Sequence, residues 1–120
     1  MYIKDMKTNR KILNFDTETT GLYPNTNGLV QLAGVIEIND KEVEEFDFKL
    51  KPFPDDIIDE ESLKIHGHTK EEIMGWDDPI SIHEQLVEIL DKYVDRYDPE
   101  DKYYPCGYNT AFDISFLINY

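Results

Sequence analysis

The sequence predicts one α/β domain built on a mixed β-sheet. Three observations carry that expectation. β-rich runs fill the first half of the chain, helical periodicity fills the middle, and a short strand leads into an apolar stretch at the end. The order strand, strand, strand, helices, strand, helix is that of a sheet covered by helices. At 120 residues the chain has the length of a single domain with one modest core. No linker, repeat or low-complexity stretch divides it, so residues 1–120 are read as one unit.

Each element has a local cause. Residues 11–16, KILNFD, read as a short buried strand, and Gly21 and Pro24 break the pattern into a loop over 20–28. Residues 29–38, LVQLAGVIEI, are rich in Val, Ile and Leu and read as a second strand. A turn at 39–41 leads into residues 43–51, where Phe46, Phe48 and Leu50 alternate with Asp47, Lys49 and Lys51. That alternation is a half-buried strand, antiparallel to its predecessor. Pro52 and Pro54 end it. A short helix is expected over 59–65, stopped at Gly67. Thr69 and Glu72 make a capping box for another turn or two, closed by Gly75. Asp78 before Pro79 is a helix start, with a capping carboxylate and Pro at the first helical position. Ile82, Leu86, Ile89, Leu90 and Tyr93 then share one helical face, and the helix ends before Pro99. Residues 103–107 read as a short strand, weakened by Pro105. From Thr110 the chain is apolar nearly all round, like a buried helix.

Composition limits the function. The chain carries 26 acidic and 12 basic residues, for a formal charge of −14. That excludes a broad basic surface for gripping duplex backbone and a polybasic membrane anchor. No apolar run is long enough to span a bilayer, and the first residues lack the apolar core of a signal peptide. Cys106 is the single cysteine, so no internal disulfide forms. A cytoplasmic protein without a membrane partner fits these facts. The charge is uneven: residues 55–101 hold 16 acids and 4 bases. This region reads as a solvated, helix-rich face, with a docking surface for a basic partner as the alternative.

Three stretches carry residues suited to chemistry. In 15-FDTETTGL-22, Asp16 and Glu18 stand two apart at a strand end, so both carboxylates project from one face. Like charges held that close repel unless a cation lies between them. Oxygen donors of this kind suit Mg²⁺ or Mn²⁺. With so many acids, about five or six acid-x-acid triplets arise by chance, so two solvated carboxylates remain the plain alternative. In 107-GYNTAFDISFL-117, Asp113 falls in the first turn of the last helix. It serves there as a favourable helix-dipole acid, or completes a metal site at the carboxyl end of the sheet. Asn109 is either a cap or a site residue. In 65-IHGHT-69, His66 touches a ligand or simply favours a helix C-terminus capped by Gly67.

Taken together and in this order, the three stretches resemble the DnaQ-like DEDD 3′–5′ exonuclease superfamily. The likeness is greatest to the proofreading epsilon subunit of bacterial DNA polymerase III and its phage relatives. FDTETTGL resembles the first exonuclease motif, NTAFDISFL the second, and IHGHT the Ile-His-Gly-Ile-Thr segment of the epsilon-type branch. The resemblance covers about residues 11–118. It implies a ribonuclease-H-like sheet and a two-metal site using Mg²⁺ or Mn²⁺. Asp16, Glu18 and Asp113 would be the catalytic metal ligands. The backbone of Thr19 would meet the 3′-hydroxyl and Leu22 would wedge against the last base. His66 and Asn109 would contact the substrate. The implied reaction releases nucleoside 5′-monophosphates from the 3′ end of nucleic acid, with single-stranded DNA favoured.

The family's third motif, with its general base and fourth aspartate, has no counterpart before Tyr120. The general base is therefore expected beyond Tyr120, along with a last strand and helix. A complementing C-terminal portion, a polymerase or a second copy would cover the exposed apolar helix. The portion given is expected to be weak or inactive alone. A non-catalytic nucleic-acid or protein-binding module on the same fold is the alternative.

Overall fold

The computed structural model of the protein describes residues 10–107. Its first strand, β1 (Lys11–Thr19), runs three residues further than the sequence pattern predicts. The extension has a simple cause. Phe15, Thr17 and Thr19 are buried while Asp16 is exposed, so the polar-looking Asp-Thr-Glu-Thr run alternates across the pleat. Threonine is β-branched and fits that half-buried backbone.

β2 (Leu29–Ile38) pairs antiparallel with β1, and β3 (Lys41–Lys49) pairs antiparallel with β2. Asn39 and Asp40 join them with φ of 52° and 70°. Two consecutive left-handed residues match the twist of a hairpin, and Asn and Asp tolerate that conformation. β3 begins and ends two residues before the alternation predicts. Its continuation is a different partner: Leu50 bridges to Asp77 and the Lys51 amide donates to the Asp77 carbonyl at 2.9 Å.

The helices follow their caps. α1 (Glu60–His66) ends at Gly67, whose φ of 77° is the left-handed turn that a side chain disfavours. α2 (Lys70–Met74) opens on the expected capping box of Thr69 and Glu72. α3 (Pro79–Asp91) opens on Asp78, whose carboxylate accepts the Ser81 amide at 3.0 Å. β4 (Tyr104–Cys106) is narrower than the predicted 103–107 and pairs parallel with β1. The strand order is β3-β2-β1-β4, a mixed sheet as the sequence predicts. Pro105 is tolerated because β4 is an outer strand among the described residues.

The register gives the sheet two unlike faces. One carries Phe15, Leu32, Ile36 and Phe46, against which Leu86, Ile89, Leu90 and Tyr93 pack. Ile82 and Leu86 of α3 are both buried, and each is worth roughly 1.5–3 kcal/mol of transfer free energy. The opposite face carries Asp16 paired with Ala33, and Glu18 paired with Gln31. Parallel pairing of β4 with β1 means that both strands point their carboxyl ends to the same edge of the sheet. The chain therefore leaves Cys106 towards the end that holds Asp16 and Glu18. Asn109, Asp113 and the expected last helix lie outside the described residues. No helix among the described residues is long and apolar enough to cross a membrane.

Candidate active site

Asp16 and Glu18 lie on the face of β1 opposite the core, and Asp16 is exposed. Neither forms an ion pair with a lysine or arginine among the described residues. Two anionic oxygen donors on one strand face, without a protein cation between them, fit a hard divalent cation. Asp16 borders a shallow hollow of about 350 Å³ that also touches Ala33, Asp47, Cys106 and Gly107. Among the described residues no three His, Cys, Asp or Glu side chains converge on one metal position. The third expected carboxylate, Asp113, is outside them.

The loop after β1 is held by residues that motif reading passed over. Thr20 is fully buried. Its amide donates to the Gly28 carbonyl at 2.8 Å and its hydroxyl accepts the Gly28 amide at 2.8 Å. The same hydroxyl donates to the Ile57 carbonyl at 2.7 Å, and the Asp59 amide donates to the Thr20 carbonyl at 2.7 Å. Asn27 closes the loop from inside: its amide side chain donates to Ile57 and Asp59, and its oxygen accepts the Tyr23 amide at 3.0 Å. Gly21 is required here because a Cβ would sit 2.3 Å from Asn27 and from the Asp59 carboxylate. A Thr-Thr-Gly turn followed by Asn-Gly is the only trace of this clasp in the sequence. Its partners, residues 57–59, are thirty positions away.

The clasp fixes the start of α1, and α1 carries His66 to the end of β1. The Glu18 carboxylate and the Thr19 backbone both act on the imidazole. Burial holds the ring below the usual imidazole range; Glu18 opposes this, His68 adds to it and the Thr19 backbone opposes it. Among the described residues its buried Nε2 has no partner at hydrogen-bond geometry, although the Thr19 backbone lies close enough to favour the charged form. Its Nδ1 accepts the His68 amide at 3.4 Å. The Thr19 hydroxyl donates to the Gly21 carbonyl at 2.7 Å, so its side chain is committed to the turn. Leu22 stands 66% exposed just past this turn. The structure thus brings Glu18, Thr19 and His66 together, places Asp16 on the Glu18 face, and leaves Leu22 open. Asn109 is outside the described residues.

A larger hollow of about 670 Å³ opens at the other end of β1, lined by Lys11, Asp98, Asp101, Tyr104 and Cys106 among others. Lys11 is already engaged there, with the Asp101 carboxylate at 2.7 Å and the Tyr93 carbonyl. The larger hollow is thus lined by a lysine already paired, whereas Asp16 and Glu18 have no lysine or arginine partner among the described residues.

A model of the RNase T exonuclease family matches residues 13–120. Among solved structures, E. coli exonuclease I in complex with a dA16 oligonucleotide is 22% identical with a TM-score of 0.71, over 89% of this chain and 22% of that chain. The zinc ion bound form of its single-stranded DNA complex is 21% identical with a TM-score of 0.72, over 90% and 22%. A product-bound exonuclease I gives 21% and 0.68, over 90% and 24%. The chain spans less than a quarter of the length of those proteins. At that identity the likeness establishes the fold, a ribonuclease-H-like exonuclease sheet. None of the curated proteins matches the chain in sequence.

Proposed function

The chain belongs to the RNase T exonuclease family, and from that premise we propose a metal-dependent 3′–5′ exonuclease of the DEDD type. It releases nucleoside 5′-monophosphates from a 3′ end, single-stranded DNA being the favoured substrate. The observation that carries the reading is the pairing of Asp16 and Glu18 on one strand face, with His66 brought to Glu18 by α1.

Asp16, Glu18 and Asp113 would hold Mg²⁺ or Mn²⁺. When bound, such a pair of ions activates water and stabilises the leaving oxygen of an in-line phosphoryl displacement. The chain's own residues do the positioning. Two divalent ions held by these three carboxylates would change the local charge from about −3 to about +1 and so admit phosphate. The Thr19 backbone meets the terminal 3′-hydroxyl, and exposed Leu22 packs against the terminal base. His66, restrained beside Glu18, and Asn109 contact the terminal nucleotide. Ile65-His66-Gly67-His68-Thr69 supports an epsilon-type branch, and with it a proofreading role beside a polymerase.

A 3′-labelled single-stranded oligonucleotide tests this with Mg²⁺, Mn²⁺ or EDTA. The 120-residue chain, a longer gene-encoded form and Asp16→Ala run in parallel. Metal-dependent release of labelled mononucleotide that Asp16→Ala abolishes is the expected result. Oligonucleotide binding with no cleavage by any form would replace the enzyme with a binding module.

A further inference from the structure

From His66, a band of rings continues through His68 to Trp76, the single tryptophan, and neither of these two has a role in the proposed cleavage site. The His66 and His68 ring centroids are 5.3 Å apart and tilted by 35°, and those of His68 and Trp76 are 4.9 Å apart, edge to face at 80°. Lys49 holds its ammonium 5.8 Å from the Trp76 ring centre. Trp76 is fixed from both sides. Its amide donates to the carbonyl of fully buried Ile73 at 3.1 Å, and the next residue, Asp77, bridges to fully buried Leu50. His68 is steadied by Glu72, with Nδ1 3.6 Å from the carboxylate.

The band starts at the carboxylate site and returns to the same sheet face. Glu18 pairs with Gln31, and Gln31 pairs with Lys49. Directly paired residues share a face, so Lys49 stands two strand spacings from Glu18, about 10 Å. A strand whose 3′ end lies at Asp16 and Glu18 reaches Trp76 without leaving the surface. The hollow beside Trp76, about 380 Å³, is lined by Lys49, Asp47, Gly75 and Asp77. Its two acids oppose a phosphate and leave a neutral ring unopposed. One lysine at the rim suffices for a single backbone contact.

We propose that Trp76 and His68, with Lys49 at the rim, form a stacking subsite for a nucleobase upstream of the 3′-terminal nucleotide. The placement rests on the exonuclease reading; the stacking chemistry rests on the rings alone. Every base has a π-face, so such a platform adds affinity without reading sequence. The base takes the Trp76 face over which Lys49 now stands, and the ammonium turns to the adjoining phosphate.

Trp76 is the only tryptophan, so its emission reports the subsite directly. In EDTA, saturating dT4 should quench that emission, and dTMP, which fills only the terminal position, should not. Labelled dT4 should bind about tenfold more weakly to Trp76→Ala. It should bind at intermediate strength to Trp76→Phe, which keeps a ring and guards against misfolding. Emission unmoved by dT4, or equal affinity of wild type and Trp76→Ala, overturns the proposal. Failure of the exonuclease reading looks different: quenching by dT4 persists while the longer gene-encoded form gives no mononucleotide release with Mn²⁺. Cleavage with Trp76 emission unmoved removes the subsite alone.

Discussion

Phe15 and Asp16 are neighbours whose side chains go opposite ways, one into the core and one to the candidate metal. The pleat of β1 does this, and it made the candidate metal-binding pair legible: Asp16 and Glu18 share a face wherever residues 15–18 form a strand. His66 was legible only as a motif residue. That its ring meets Glu18 depends on the Thr20 and Asn27 clasp, whose partners at Ile57 and Asp59 no local pattern announces. The two kinds of residue should respond differently to substitution. Asp16 is exposed, so Asp16→Asn should shift the urea midpoint by less than about 0.5 kcal/mol in stability. Thr20→Val keeps the shape but leaves the Gly28 amide without its acceptor. It should cost about 1–3 kcal/mol in the same melt.

At the scale of elements, the helix starts were readable because each cap is one local bond. Asp78 to Ser81 and Thr69 to Glu72 form as the sequence spells them. Asp78→Ala should destabilise the fold by about 1 kcal/mol, measurable by thermal or urea unfolding. The strand ends were less readable, because they depend on partners. β1 outlasts its apolar run since threonines fill its inward positions, and β3 stops early since Leu50 takes Asp77 instead. Tyr103 joins two elements: its hydroxyl donates to the Leu90 carbonyl at 2.7 Å. Burial above all, and then the nearby Tyr93 and acidic groups, push its pKa up to about 12. The folded protein thus holds this proton more tightly than the unfolded chain does. The stabilisation is complete below about pH 10, the ordinary tyrosine value, and is lost as pH rises towards 12. Tyr103→Phe should flatten that alkaline limb of the stability profile.

For the molecule as a whole, a charge of −14 at first argues against nucleic acid. Most of it lies in residues 55–101, and part of the remainder is the proposed metal ligands themselves. On the proposed function a 3′ end would be gripped through cations, rings and few backbone contacts. Oligonucleotide binding should consequently depend weakly on salt. With about one phosphate contact on a single strand, raising salt from about 50 to about 200 mM should weaken binding only about two- to threefold. A protein tracking a backbone with many lysines loses orders of magnitude over that range.

The claim at the centre is that the β1 carboxylates hold the metal on which cleavage depends. Mononucleotide release from a single-stranded oligonucleotide should be followed as Mn²⁺ is titrated into the longer gene-encoded form and into its Asp16→Asn and Glu18→Gln variants. Saturable Mn²⁺ activation of the unsubstituted longer form is expected, with at least about a hundredfold loss in either variant and folding unchanged. Mn²⁺-dependent release that persists at the wild-type rate in both variants would contradict it.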